Sequence, residues 1–258
     1  MNIVKLCGGL GNQLFQYAFG RVQRKYYGTE VQYALVWYNK KRSIDRPFIL
    51  NKFKVDVKTR PFMSGKIIRD PHIFNPDLLK EDNCNFIGYW QQKEYYINIL
   101  PILRKEFCVK EELYTEAFLK LREDIINSNS ISVHIRRGDL LINGRDYAQP
   151  LNYYNEALHI MKSLKSDCKV FVFSDDLPWC RENFKDVTFV SLVEYLDFEL
   201  MKLCKHQIIA NSTFSWWASL LNDNPTKTII APVKWRMKEA EQKMFENGLY
   251  FFNDWVLC

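Results

Sequence analysis

Ser130-Ile131-Ser132-Val133-His134-Ile135, running directly into Arg136-Arg137-Gly138-Asp139, is the stretch that decides the fold. A short run rich in β-branched residues and closed by a glycine reads as a buried strand. Strand side chains alternate between faces, so His134 and Arg136 project to one side and Val133 and Ile135 to the other. Downstream, Lys169–Phe173, Thr188–Val190, Gln207–Ala210 and Thr228–Ala231 are further short apolar runs. Between them the periodicity predicts helices over Tyr154–Lys165, Pro178–Phe184, Glu194–Lys205 and Phe214–Leu221. Strand and helix alternating through short connections predict a parallel α/β sheet.

Upstream the pattern is looser. Asn2–Leu6 reads as a buried strand, followed by the glycine turn Gly8-Gly9-Leu10-Gly11 and a helix over Asn12–Tyr27. Glu30–Leu35 and Phe86–Tyr89 read as strands, and helices are expected near Tyr95–Glu106 and Thr115–Asn127. Residues 37–85, rich in charge, Asn and Pro, read as long loops with short elements. The polar Asn127-Ser128-Asn129-Ser130 suggests a boundary, giving two α/β lobes, 1–127 and 128–258, that meet at a central cleft. The C-terminal tail of about 20 residues is expected to pack back on the first lobe.

The chain of 258 residues is 47% hydrophobic and 26% charged, which excludes disordered, collagen-like and disulfide-stapled classes. Its net charge of +6 is uneven: residues 21–60 carry eleven Lys/Arg against Glu30, Asp45 and Asp56, a local +8. Such a stretch attracts phosphates or an anionic membrane surface, unless it is simply a solvated face. The seven cysteines are scattered without ligand spacing, so buried thiols are expected rather than disulfides or zinc. Neither a leader nor a long apolar run is present, which predicts a cytoplasmic protein.

Four polar signatures follow four strands. Gly8–Gln13 invites a dinucleotide reading, but Leu14 stands where the third glycine belongs, and Tyr33-Ala34-Leu35-Val36 supplies no ribose-binding acid. The polar Asn12-Gln13 pair favours a binding loop over a plain turn. His134-Ile135-Arg136-Arg137-Gly138-Asp139 offers arginines suited to a phosphate, with Asp139 placed to orient an arginine or accept a proton. Phe173-Ser174-Asp175-Asp176 brings two carboxylates that could bind metal, accept donors from a guanine ring, or merely cap the next helix. As a metal site it lacks a third ligand. Asn211-Ser212-Thr213-Phe214-Ser215 offers hydroxyls and helix-start N–H groups to a phosphate. Together the four point to one phosphorylated ligand.

Taken together, Gly8–Gln13, His134–Asp139, Phe173–Asp176 and Cys204–Trp217 resemble the inverting α-1,2-fucosyltransferases of glycosyltransferase family 11. The resemblance implies a GT-B-like α/β fold of two Rossmann-type lobes, with GDP-fucose held mainly by the second and no metal or cofactor. It implies that Arg136 contacts the β-phosphate and leaving oxygen, and that His134 lies near the guanosine. Asp175 or Asp176 should read guanine, and Ser212, Thr213 and Phe214 should cradle the pyrophosphate. Gly11 and Asn12 of the first lobe should close the reaction centre, with Asp139 as base or arginine-fixing group. Asp197-Phe198-Glu199-Leu200-Met201 departs from the usual D-L-x-L-M. The implied reaction moves L-fucose from GDP-β-L-fucose to the 2-hydroxyl of a terminal galactose or related sugar. The acceptor is a glycan, and a lipid-linked one would give residues 21–60 a peripheral contact with the inner face of the cell membrane. The rivals are a fucosyltransferase of different linkage or acceptor, a non-catalytic sugar-nucleotide-binding protein and a nucleic-acid-binding protein; no nucleic-acid module supports the last.

Overall fold

The computed structural model describes residues 1–39, 46–141, 147–235, 252 and 254–258, and among these it divides into two units, residues 1–110 and residues 111 onward. The first unit holds β1 (Asn2–Lys5), α1 (Leu10–Tyr27), β2 (Val31–Ala34), β3 (Lys66–Arg69), β4 (Cys84–Ile87) and α2 (Leu100–Glu106). Its four-stranded sheet has the order β2-β1-β4-β3, and every pairing is parallel. α1 forms because Leu10, Leu14, Phe15, Ala18, Phe19 and Val22 recur at helical spacing, and all are buried. It also buries three glutamines, which clamp neighbouring segments: Gln23 accepts from Asn2 Nδ2 at 3.0 Å and Gln16 donates to the Gly88 carbonyl at 3.0 Å. The core beneath is aromatic, with Phe19 stacked on Trp90 at 4.1 Å and both edge-on to Phe86.

Two differences from the sequence reading lie in this unit. β3 falls inside the stretch read as loops, because only Ile68 of Lys66-Ile67-Ile68-Arg69 is buried and an edge strand shows no apolar alternation. α2 starts at Leu100 rather than Tyr95, after two short 3-10 turns, with Pro101 in its first turn. The basic stretch is partly neutralised internally: Arg21 pairs with Glu106 at 2.8 Å and Arg24 with Asp56 at 3.1 Å. Lys40, Lys41 and Arg42 lie outside the described residues.

The second unit holds α3 (Glu116–Asn127), β5 (Asn129–Ile135), α4 (Leu151–Leu164), β6 (Cys168–Ser174), α5 (Leu177–Asn183), β7 (Thr188–Val190) and α6 (Glu194–Leu203). It continues with β8 (His206–Ile208), α7 (Thr213–Leu221), β9 (Ile229–Ala231) and β10 (Val256–Leu257). The six strands run parallel in the order β10-β9-β8-β5-β6-β7. β5 is buried on both faces, as a central parallel strand must be. The chain builds outward from β5 through β6 and β7, then crosses to β8 on the other side. The order therefore reverses between β5 and β8, where such folds receive ligands at the carboxyl ends of the strands.

The division falls at 110/111, earlier than the 127/128 boundary read from sequence. α3 packs on β5 and α6, so it belongs with the second sheet. Most of the C-terminal tail lies outside the described residues. Its described end pairs β10 with β9 and buries Trp255 beside Trp216, both in the second unit. Among the described residues no helix is long and apolar enough to cross a membrane.

Candidate active site at the carboxyl edge of the second sheet

The second unit gathers its three polar motifs at one sheet edge. Arg136, the first residue beyond β5, spreads its fork between two elements. Nε and Nη2 donate to Asp139 Oδ1 at 3.0 and 2.8 Å, Nη2 also to Oδ2 at 2.7 Å, and Nη1 to Ser212 Oγ at 3.1 Å. The last bond spans the reversal between β5 and β8. Bidentate pairing of this kind fixes the guanidinium plane as well as its charge. These bonds leave Arg136 an Nη1 N–H for an anionic ligand. Of the two roles open to Asp139 in the sequence, the geometry displays the arginine-fixing one, with both carboxylate oxygens turned to Arg136.

Ser212 is the N-cap of α7, and its buried hydroxyl accepts from the Phe214 N–H at 3.4 Å as well as from Arg136. Thr213 and Phe214 are the first two residues of α7, where the positive end of the helix favours an anion. His134 lies inside the edge rather than on it, 7% exposed, with Nδ1 2.8 Å from Ser215 Oγ and its ring against Phe214 at 5.4 Å. Burial, and next the Arg136 charge, lower its pKa to about 3, so the imidazole is neutral. Its role here is to hold the start of α7 against β5.

The carboxylates after β6 are both engaged by Arg137. Asp175 Oδ1 accepts from the Arg137 backbone N–H at 2.8 Å, and Asp176 Oδ2 accepts from Arg137 Nε at 3.0 Å. Asp176 Oδ1 also caps α5 through the Trp179 N–H at 3.2 Å. The Arg137 guanidinium sits 4.0 Å from the centre of the Trp179 ring, a cation–π contact. Gly138 leaves room for this carboxylate: a Cβ there would lie 2.9 Å from Asp175 Oδ2 and push it aside. Asp176 is thus the helix cap that the sequence allowed as the plain alternative, whereas Asp175 is exposed. Among the described residues no three His, Cys, Asp or Glu side chains converge as a metal site.

Sequence reasoning named Arg137 and Ser215 only within their motifs, without a role of their own, and did not name Trp179. Arg137 was readable as the partner of Arg136 across the strand alternation, and Ser215 as one helical turn from Ser212. Nothing in the local sequence ties Trp179 to Arg137.

The first unit carries the fourth motif at the carboxyl edge of its own sheet. Gly8 makes the turn at φ +79°, and Asn12 folds over it, with its Nδ2 2.7 Å from where a Gly8 Cβ would be. Asn12 Oδ1 accepts from Gln91 Nε2 at 3.2 Å, and Gly11 is buried in the first turn of α1. Gln13 is not a binding-loop residue: it is buried, donates to the Gly8 and Pro47 carbonyls at 3.1 and 2.9 Å, and accepts from the Ile49 N–H at 3.1 Å.

The chain is similar to known proteins. Over 92% of its length the chain is 29% identical to 93% of an α-1,2-colitosyltransferase of Escherichia coli. Over 66% it is 28% identical to galactoside α-(1,2)-fucosyltransferase 2 of Rattus norvegicus, of which it covers 52%. Among solved structures, NodZ α-1,6-fucosyltransferase co-crystallised with GDP superposes with a TM-score of 0.57 at 17% identity, over 85% of this chain and 92% of that one. At that identity the likeness establishes the fold, a GT-B-like α/β architecture. The sequence pattern of Glycosyl transferase family 11 runs through residues 1–257, from β1 past every strand described here. The chain is therefore a glycosyltransferase and belongs to glycosyl transferase family 11.

Proposed function

We propose that the protein transfers L-fucose from GDP-β-L-fucose to the 2-hydroxyl of a terminal galactose or related sugar of a glycan, with inversion and without a metal. The observation that carries this is the Arg136 fork, fixed by Asp139 and Ser212 at the positive end of α7. In such a transfer the bond to phosphate breaks ahead of attack, and negative charge grows on the departing GDP. Arg136 and the start of α7 meet that charge without reorganising, which is where preorganised donors act most strongly. Asp175, exposed beside the Arg137 backbone, is the better candidate to accept the guanine N–H donors; Asp176 is committed to α5 and Arg137.

Incubation with GDP-fucose and a panel of β-galactosides in EDTA, with linkage analysis, should yield an α-1,2 product. Absence of both transfer and GDP release across the panel would sink this reading. Arg136→Ala should cost at least about 10²–10³ in kcat in a folded protein. Retention within a few-fold of wild type removes Arg136 from the mechanism.

A second reading of the donor is favoured by the colitosyltransferase relative, which matches over most of both chains. Colitose is fucose without its 3-hydroxyl, so the same site chemistry serves either sugar. Competition between GDP-fucose and GDP-colitose decides. A lipid-linked acceptor would bring residues 21–60 to an anionic membrane surface; co-sedimentation with anionic liposomes that is unchanged after neutralising Lys25, Lys52 and Lys58 would refute that contact.

A further inference from the structure

Four helix-to-strand turns of the second unit meet at the amino edge of its sheet, the edge opposite Arg136. Between them lies a recess of about 500 Å³ whose charged lining groups are Lys165 and Lys205. Among the described residues no carboxylate lines it. β5 runs from Asn129 in the recess to Ile135 beside Arg136, so the two places lie about 20 Å apart.

The imidazole and amide groups of the recess are committed to its walls. The Thr228 N–H donates to His206 Nδ1 at 3.0 Å, so the ring proton sits on Nε2, 3.3 Å from Asn129 Oδ1. Asn129 Nδ2 donates to the Ser166 carbonyl at 2.8 Å and Asn224 Nδ2 to the Lys205 carbonyl at 3.1 Å. Asn224 Oδ1 accepts from both the N–H and the hydroxyl of Thr226 at 3.0 Å.

The lysines are not so engaged. Lys165 Nζ makes one bond, to the Thr226 carbonyl at 3.2 Å, and keeps two N–H donors. Lys205 Nζ meets no acceptor among the described residues, and both side chains are half-buried. Burial, and then these two charges, lower the His206 pKa to about 4, which sets both ammonium groups near its ring. A helix C-terminus favours a cation, and Lys165 and Lys205 stand just after α4 and α6. That accounts for each lysine singly. It does not account for two ammonium groups sharing one recess without a counter-charge, a repulsion that a bound anion relieves. Ile126 and Leu203 add an apolar side, so the recess offers surface to an organic body attached to the anion.

We propose that this recess binds a phosphate monoester, with the phosphate between Lys165 and Lys205 and the organic part against Ile126 and Leu203. The site is separate from Arg136 and does not rest on the glycosyl-transfer reading. Soluble esters and lipid headgroups share this chemistry, and the experiment separates them. Phenyl phosphate and inorganic phosphate are titrated at low ionic strength while the His206 ring is followed by NMR, its signals assigned with His206→Gln. Arg136 is too distant for an anion bound there to move those signals. Phenyl phosphate should shift them saturably and bind at least about threefold more tightly than inorganic phosphate. Lys165→Gln combined with Lys205→Gln should weaken binding about tenfold or more. Lys205→Gln alone takes no side-chain bond from the fold, so it tests the charge without a folding defect, and about threefold or more should be lost. No saturable shift, no preference for the ester, or variants that bind as wild type does overturns the proposal. Co-sedimentation with phosphatidylcholine vesicles containing phosphatidic acid, lost in the double variant, assigns the ester to a lipid. Vesicle binding that is absent, or indifferent to the double variant, assigns it to a soluble molecule.

Discussion

Asp139→Asn separates a carboxylate that fixes an arginine from one that takes a proton. Arg136 gives Asp139 three short contacts, and the pair is about four-fifths buried, with side chains 22% and 19% exposed. Asparagine keeps one acceptor oxygen for Nε and Nη2 but turns an NH2 toward the N–H that met Oδ2 at 2.7 Å. Two donors then face each other, and the lost charge-assisted bond plus the unsatisfied group costs about 1–3 kcal/mol. If that loss appears as misplacement of Arg136 in the transition state, kcat falls about 5- to 150-fold. The Arg136–Ser212 bond survives, so donor binding should change less than kcat. The assay is GDP release from GDP-fucose with a working β-galactoside across pH, for wild type and variant. A positioning role predicts a lower curve of unchanged shape. If the acidic limb of the wild-type profile disappears in Asp139→Asn, or activity stays within about twofold, the positioning argument fails.

Two further outcomes follow from the same geometry. His134 has its pKa lowered to about 3 in the folded protein, against an ordinary histidine value near 6.5 when unfolded. The unfolded state therefore binds the extra proton first, and the stability is present above about pH 6.5 and lost as pH falls toward 3. Between pH 7.5 and pH 5 this amounts to about 2 kcal/mol from His134 alone. His134→Gln should flatten that slope in urea titrations, and an unchanged slope would refute the burial argument; His206, lowered to about 4, adds to the slope with the same sign. Gly88→Ala would place a Cβ 2.1 Å from Asp70 Cβ, in a turn whose acceptor cannot move without releasing three N–H groups. It should destabilise by about 3 kcal/mol or more, read as a fall in urea midpoint, and a midpoint equal to wild type would show that the turn yields.

What the sequence disclosed depended on whether a signal was local. Strands and helices of the second sheet were legible because runs such as β6 and β9 are short, largely apolar and bounded by polar turns. The polar run Asn127–Ser130 misled as a boundary because its polarity serves local bonding. Asn129 Nδ2 donates to the Ser166 carbonyl at 2.8 Å and Ser130 Oγ accepts from the Lys205 N–H at 3.1 Å, so the run stitches β5 into its own unit. β3 and β10 were missed since an edge strand of four or two residues leaves almost no burial pattern. For the site, residue types were legible and partnerships were not. That Arg136 and Arg137 point to opposite sides follows from strand alternation alone. That one then anchors to α7 and the other to the β6–α5 turn depends on strand order, because β8 and β6 flank β5. The neighbouring acids, which in isolation suggested a metal site or a base, are what hold the two arginines in place before any anion arrives. Preorganisation of this kind requires the carboxylates to be occupied, so their scarcity as free acids and the readiness of Arg136 have one physical cause.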